Sequence, residues 1–274
     1  MCRSSRPPHS PATFAIIAVI MSLSATTTLA HAEDDDRWPV LRSELFAQRP
    51  INEDAPGLVL DAPIRADDAA IVPITVHIPA SMGEVKSLKL IVEKNPAPLA
   101  ATFTFGPAIG TGERMIATRL RFDLYSNLRA VVETAGGQLY MTTKFVKAAG
   151  GCSAPALKDA DEALAALGRM QVKVLGAAES DPALKLGQVM VRHPNYNGMQ
   201  MNQETGLYIP AKYVTEMDVM RGAERVFKLE AGISISADPN LRFTCAAAPD
   251  TQLSVTTKDS DGKTFTGQSA PSGS

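Results

Sequence analysis

Ile71-Val72-Pro73-Ile74-Thr75-Val76-His77-Ile78 decides the fold class. Val72, Ile74, Val76 and Ile78 fall on one face of an extended chain and Pro73, Thr75 and His77 on the other, the period-two signature of a half-buried strand. Short runs of the same kind follow at Leu88, Leu90 and Val92, at Phe103 and Phe105, at Ile116, Leu120 and Phe122, and at Leu128, Ala130 and Val132. The stretches 128–134 and 138–146 are joined by Ala135-Gly136-Gly137, whose glycines supply the positive φ a tight hairpin needs. Strands recurring at this spacing with no helix between them predict a β-sandwich.

Between Pro155 and Gly168 the pattern changes. Leu157, Ala160, Leu164 and Leu167 recur at helical spacing, and Gly168 is a stop signal. Gly176–Leu186 reads as a flexible joint. Strand patterning resumes over 189–192, 213–220, 225–231, 241–245, 252–259 and 264–267, with turns at Met220-Arg221-Gly222 and Ser260-Asp261-Gly262. The predicted fold is all-β: two immunoglobulin-like β-sandwich domains joined by a short helix. The predicted boundaries are a signal peptide over 1–32, a first domain over 33–152, a helical linker over 153–185, a second domain over 186–268 and a disordered tail over 269–274.

The N-terminus predicts the compartment. Arg3 and Arg6 precede an apolar run from Phe14 to Leu23, and small residues end at Ala30-His31-Ala32, the form of a secretory signal cleaved near Ala32. That run is too short to span a bilayer, so no membrane anchor is expected. The 274 residues carry 27 lysines and arginines against 29 acids, and removal of the signal takes two arginines with it. A mildly acidic chain without a basic block is a poor match for nucleic acid or anionic membrane. Of three cysteines, Cys2 leaves with the signal, and Cys152 and Cys245 remain in an oxidising compartment.

Gly150-Gly151-Cys152, at the end of the first β-rich half, is the candidate site. Two glycines let the backbone swing and leave the next thiol sterically bare. A helix starting at Ser153-Ala154-Pro155 would favour the thiolate by about 0.3–1 kcal/mol. The opposing reading is a Cys152–Cys245 disulfide, which would close a loop of roughly 90 residues and stabilise by about 4 kcal/mol. Cys245 lies two residues after Phe243 on an alternating strand, which predicts a buried, inert thiol. His77 and His193 have no cysteine, histidine or carboxylate at metal-ligand spacing, so His77 reads as a solvated sheet histidine and His193 as a loop hydrogen-bonder. Met190, Met199, Met201, Met217 and Met220 read as gap-fillers rather than copper ligands. Asp259-Ser260-Asp261-Gly262 reads as a hairpin turn rather than a calcium loop. No metal and no cofactor is expected.

The run Leu90-Ile91-Val92-Glu93-Lys94-Asn95-Pro96-Ala97-Pro98-Leu99, with Phe103-Thr104-Phe105, Gly137-Gln138-Leu139-Tyr140 and Gly150-Gly151-Cys152, resembles SoxY, the sulfur-carrying subunit of the periplasmic sulfur-oxidation system. Arg192-His193-Pro194, Glu204-Thr205-Gly206, Ile209-Pro210-Ala211-Lys212-Tyr213-Val214 and Ile235 to Phe243 resemble its partner SoxZ. The order is that of the fused SoxYZ-like carriers found alongside quinoprotein dehydrogenases. The resemblance implies a carrier rather than an enzyme, with Cys152 holding a small sulfur species covalently, Gly150 and Gly151 as its hinge, and periplasmic redox enzymes, of the Sox type or of a quinoprotein dehydrogenase system, as partners. It also implies one departure: SoxY ends in Gly-Gly-Cys-Gly-Gly, whereas here the chain continues and the arm is tethered at both ends.

Overall fold

The computed structural model describes residues 1, 36–155, 160–179, 181–248 and 252–271; residues 2–32 of the expected signal peptide 1–32 and residues 272–274 of the expected tail lie outside them. The first half contains α1 (Trp38–Phe46), β1 (Ile51–Asn52), β2 (Val59–Asp61), β3 (Val72–Ile78), β4 (Val85–Val92), β5 (Leu99–Phe105), β6 (Arg114–Leu120), β7 (Ser126–Thr134) and β8 (Leu139–Val146). The second contains α2 (Ala160–Ala165), β9 (Met170–Ala177), β10 (Leu184–Val191), β11 (Val214–Arg221), β12 (Glu224–Ala231), β13 (Asn240–Ala246), β14 (Leu253–Asp259) and β15 (Thr264–Gln268).

In β3 the alternation holds residue by residue: Val72, Ile74, Val76 and Ile78 are buried and Pro73 is exposed. Pro73 is tolerated because β2 pairs only with Thr75, Val76 and His77, so the missing N–H leaves no gap on that side. Hairpin β7–β8 runs in unbroken register from Ser126 opposite Val146 to Glu133 opposite Leu139. Gly137 at its turn has φ +79°.

The two halves are immunoglobulin-like sandwiches that share both of their layers. One sheet has nine strands in the order β1-β8-β7-β4-β5-β12-β11-β14-β15, and the other six in the order β2-β3-β6-β13-β10-β9. The seam in the first is β5 against β12, from Phe105 opposite Phe227 to Ala101 opposite Ala231. In the second it is β6 against β13, where Ala117 faces Arg242 and Ile116 faces Phe243. Pairing edge to edge removes four sheet edges and merges the cores. Phe103, Phe227 and Phe243 form an edge-on chain across the seam with centroids 5.5 and 5.0 Å apart. Each ring, fully buried, contributes about 1.5–3 kcal/mol of hydrophobic stabilisation.

Three expectations are corrected. The linker is shorter than 153–185, because Gln171-Val172-Lys173-Val174 forms part of β9, an edge strand paired with β10. Only Val172 of β9 is buried, so its apolar signal is weak. Of the helix expected from Pro155 to Gly168, α2 covers 160–165 and residues 156–159 lie outside the described residues; Gly168, at φ +79°, ends its last turn. Ser269 is no part of a loose tail: its hydroxyl accepts a bond from the Leu253 N–H at 3.0 Å. The sequence reading also lacked α1, which lays Trp38, Leu41 and Phe46 on Ile91, Val131, Leu139 and Met141 on the outer face of the larger sheet. Arg129 covers Trp38 at 4.2 Å and pairs with Glu93.

Candidate functional site: a latched thiol arm

After β8 the chain runs briefly alongside residues 64–66. The Lys147 N–H donates to Ile64 O at 2.8 Å and the Ala66 N–H to Lys147 O at 3.3 Å. It then crosses a shelf formed by Arg121-Phe122-Asp123. The Gly150 N–H donates to Asp123 O at 2.9 Å and the Gly151 N–H to Phe122 O at 2.8 Å. The shelf is itself fixed by Asn95, which is wholly buried: its Nδ2 donates to Arg121 O at 2.7 Å and to Ser234 Oγ at 2.9 Å, and its Oδ1 accepts from the Asp123 N–H at 2.9 Å.

The carbonyls of the arm are held from the other side. Arg121 Nη1 donates to Gly151 O at 3.3 Å, and Asn197 Nδ2 to Cys152 O at 2.8 Å. Asn197 belongs to the second half, on a loop pinned by Asn195. The buried Asn195 side chain donates to Ile235 O and Ser236 O and accepts from the Val214 N–H. The arm is therefore clamped between the two sandwiches by hydrogen bonds from both.

The two glycines have different roles. Gly150 has φ +81° and open space where a Cβ would stand, so glycine is there for its backbone conformation. At Gly151 a Cβ would lie 2.0 Å from Ala69 O and 2.8 Å from Phe122 O, so glycine is there because no side chain fits. The expectation of a sterically bare thiol does not hold for this state: Cys152 is 1 % exposed. Its thiol is pushed up to about 12, chiefly by burial and then by the Asp123 carboxylate, with Arg121 opposing. No helix begins at Ser153-Ala154-Pro155 themselves, which form a turn and irregular chain, and residues 156–159, where the expected helix would continue, lie outside the described residues.

Cys152 and Cys245 are both free, so the disulfide is not formed. Cys245 sits in β13 opposite Lys185 of β10, wholly buried, and burial raises its thiol to about 11. His77 is half-exposed on the outer sheet face and bonds Glu113 at 3.0 Å. His193 is buried and accepts the Asn195 N–H at Nδ1, which steadies the latch loop; burial lowers its pKa. Asp259 Oδ1 accepts the N–H groups of Asp261 and Lys263, as a hairpin turn requires. Among the described residues no cluster of histidine, cysteine and carboxylate could hold a metal ion, and no helix is long and apolar enough to cross a membrane.

Sequence reasoning missed Asn95, Arg121, Asp123, Asn195 and Asn197 as site residues. Asn95 stood inside the Glu93–Leu99 run and Asn195 followed His193-Pro194, so the residues were in view without their role.

Two β-sandwiches sharing their sheets, with a cysteine arm latched at the junction, define a two-domain thiol-bearing module. Residues 42–152 match the family model of the sulfur oxidation protein SoxY, and residues 175–270 that of the sulphur oxidation protein SoxZ. The chain belongs to the fused SoxYZ-like sulfur carriers, and the SoxY match ends on Cys152 itself. No curated protein sequence matches this chain. Among solved structures, the sulfur carrier protein SoxY from Chlorobium limicola f thiosulfatophilum is 25% identical, over 40% of this chain and 90% of that one, at a TM-score of 0.33. A beta-glucuronidase from glycoside hydrolase family 2 is 14% identical, over 79% of this chain and 20% of that one, at a TM-score of 0.23.

Proposed function

We propose that Cys152 is the attachment point for the cargo of this sulfur-oxidation carrier, that Gly150 and Gly151 form the hinge of its arm, Gly151 also allowing the arm to close into its latch, and that periplasmic redox enzymes load and process the bound sulfur. The observation that carries the reading is the way Cys152 is held. Its segment lies outside every strand, and the hydrogen bonds that hold it down can open without unfolding either sandwich. In the latched state the thiol is protonated and shielded. In the released state burial and Asp123 no longer oppose ionisation, and the sulfur regains an ordinary thiol's reactivity.

Attachment forms an S–S bond between Cys152 and an inorganic sulfur anion such as hydrosulfide. The thiol proton is lost to solvent and two electrons pass to the redox partner, so the carrier itself needs no cofactor. A catalytic base beside the sulfur is not part of this reading, and the protein serves enzymes rather than acting as one. A quinoprotein dehydrogenase system is the partner proposed alongside Sox-type enzymes. Export to the periplasm follows from the Arg3 to Ala32 signal pattern. The competing reading, an accessory protein with a structural Cys152–Cys245 disulfide, is disfavoured because both thiols are free.

The test is intact mass and peptide mapping of the protein exported and purified without reductant. The expected result is a chain beginning near residue 33 with reducible added mass on the peptide holding Cys152. A stoichiometric Cys152–Cys245 disulfide that resists mild reduction would overturn the reading.

A further inference from the structure

On the outer face of the six-stranded sheet, beneath the connector between the two sandwiches, lies a cavity of about 600 Å³. Its floor includes Gln171, Met190 and Asn240, which stand opposite one another across β9, β10 and β13. Ala163 and Ala166, in and just after α2, line it together with Pro155 of the arm's continuation. It therefore belongs to the fused chain: the segment following Cys152 contributes to its wall.

Charge sets this cavity apart. Among the described residues four arginines line it, Arg119, Arg121, Arg169 and Arg192, against one carboxylate, Asp238, which pairs with Arg192 at 2.8 Å. Arg119 and Arg121 are only partly used. Arg119 gives Nη2 to the carbonyls of Ala237 and Asp238, and Arg121 gives its Nη atoms to Gly151 O and Asn195 O. The Nε of each is buried with no hydrogen-bond partner among the described residues. Burial lowers the pKa of both guanidiniums, so each gains from a nearby anion. Ile71, Val191 and Pro194, beside the alanines and Met190, give the lining an apolar side, while Gln171, Gln200 and Asn240 add neutral polar groups.

We propose that this cavity binds an organic acid noncovalently, its carboxylate or sulfonate on the arginines and its apolar body against the alanine, methionine and valine wall. The volume is that of a small-molecule site, and at about 30 Å³ per water it has room for roughly twenty waters, several times what an inorganic oxyanion fills. Arginine is suited to planar carboxylate and sulfonate groups because its fork of donors matches them. Cys152 is not among the lining residues, so the site is separate from the covalent attachment point although Arg121 touches both.

The test is a fluorescence titration of the full mature chain with 8-anilinonaphthalene-1-sulfonate and, in parallel, with uncharged N-phenyl-1-naphthylamine, which keeps the apolar body and lacks the sulfonate. Sodium sulfate and thiosulfate serve as inorganic competitors. The expected result is saturable one-to-one binding of the sulfonate at least tenfold tighter than the neutral dye, and only weak displacement by the inorganic anions. Arg169→Met with Arg192→Met, both exposed at the rim, weakens the sulfonate about tenfold or more and leaves the neutral dye and the melting temperature unchanged. Cys152→Ser leaves sulfonate binding intact, so failure of the carrier reading and failure of this one are separable. Equal binding of the two dyes, or sulfonate binding indifferent to the arginine variants, would overturn the proposal. Full displacement by thiosulfate at low concentration would also overturn it, assigning the arginines to an inorganic anion.

Discussion

Cys152 and Cys245 are both free, both buried and both shifted above the ordinary thiol range, to about 12 and about 11, yet their backbones are held in different ways. Cys245 is part of β13, which pairs with β6 on one side and β10 on the other, so its sulfur reaches solvent only when the six-stranded sheet opens. Cys152 lies on a segment held by the N–H groups of Gly150 and Gly151 and by the side chains of Arg121 and Asn197. Burial alone therefore does not separate a working thiol from an inert one. The difference lies in how much structure must open before the sulfur meets a partner.

Breaking the latch sterically is expected to have the largest effect on this contrast. Gly151→Ala places a methyl 2.0 Å from Ala69 O, which the closed arm cannot accommodate. Overpacking of this kind costs about 1–3 kcal/mol, here charged to the latched state, so Cys152 alkylation should accelerate roughly five- to hundredfold with Cys245 unaffected. An unchanged rate for Cys152 would mean the latch does not limit access.

A pH series sharpens the same contrast. Cys152 is raised from 9.0 to about 12 when latched, so closure is unopposed below pH 9. As pH climbs from 9 toward 12 only the released arm can ionise, and the latch weakens by up to tenfold per unit. Stopped-time alkylation of Cys152 should keep rising past pH 9; a plateau there would indicate a thiol that is already free.

Removing one clamp has a smaller consequence. Asn197→Ala deletes the donor to Cys152 O, worth about 1 kcal/mol, and should speed Cys152 labelling about fivefold by mass spectrometry. The smallest expected effect is that of Cys245→Ala: about 1 kcal/mol of global stability in a urea melt, and no change at Cys152. Accelerated labelling of Cys152 in that variant would couple the two thiols and contradict their independence.

The sequence made the strands legible because period-two burial is a local property. Val72 to Ile78 and the β7–β8 hairpin could be read from their own residues. The seam could not: β5 and β12 are each ordinary strands, and their pairing depends on two distant edges that both need a partner. β9 escaped because an edge strand with only Val172 buried leaves almost no apolar signal. Helix α1 escaped because its apolar residues Trp38, Leu41 and Phe46 cover an outer sheet face that strand patterning marks as solvent-facing.

The site divides along the same line. Cys152 and its glycines were visible as a motif, but their state was not. Gly151 looks like a source of freedom in the sequence, whereas in the fold it permits a close approach between two backbones. Asn95 and Asn197 act from 57 residues before and 45 residues after the thiol, through side-chain bonds that no local spacing encodes.

The most direct test is the alkylation rate of the two thiols measured together in the native protein, site by site, against a parallel measurement of global unfolding. The account predicts that Cys152 reacts through local opening, well ahead of unfolding, while Cys245 reacts only at the global unfolding rate. Equal rates for the two sulfurs, both tracking global unfolding, would mean that the arm is welded to the core and that Cys152 cannot serve as the carrier.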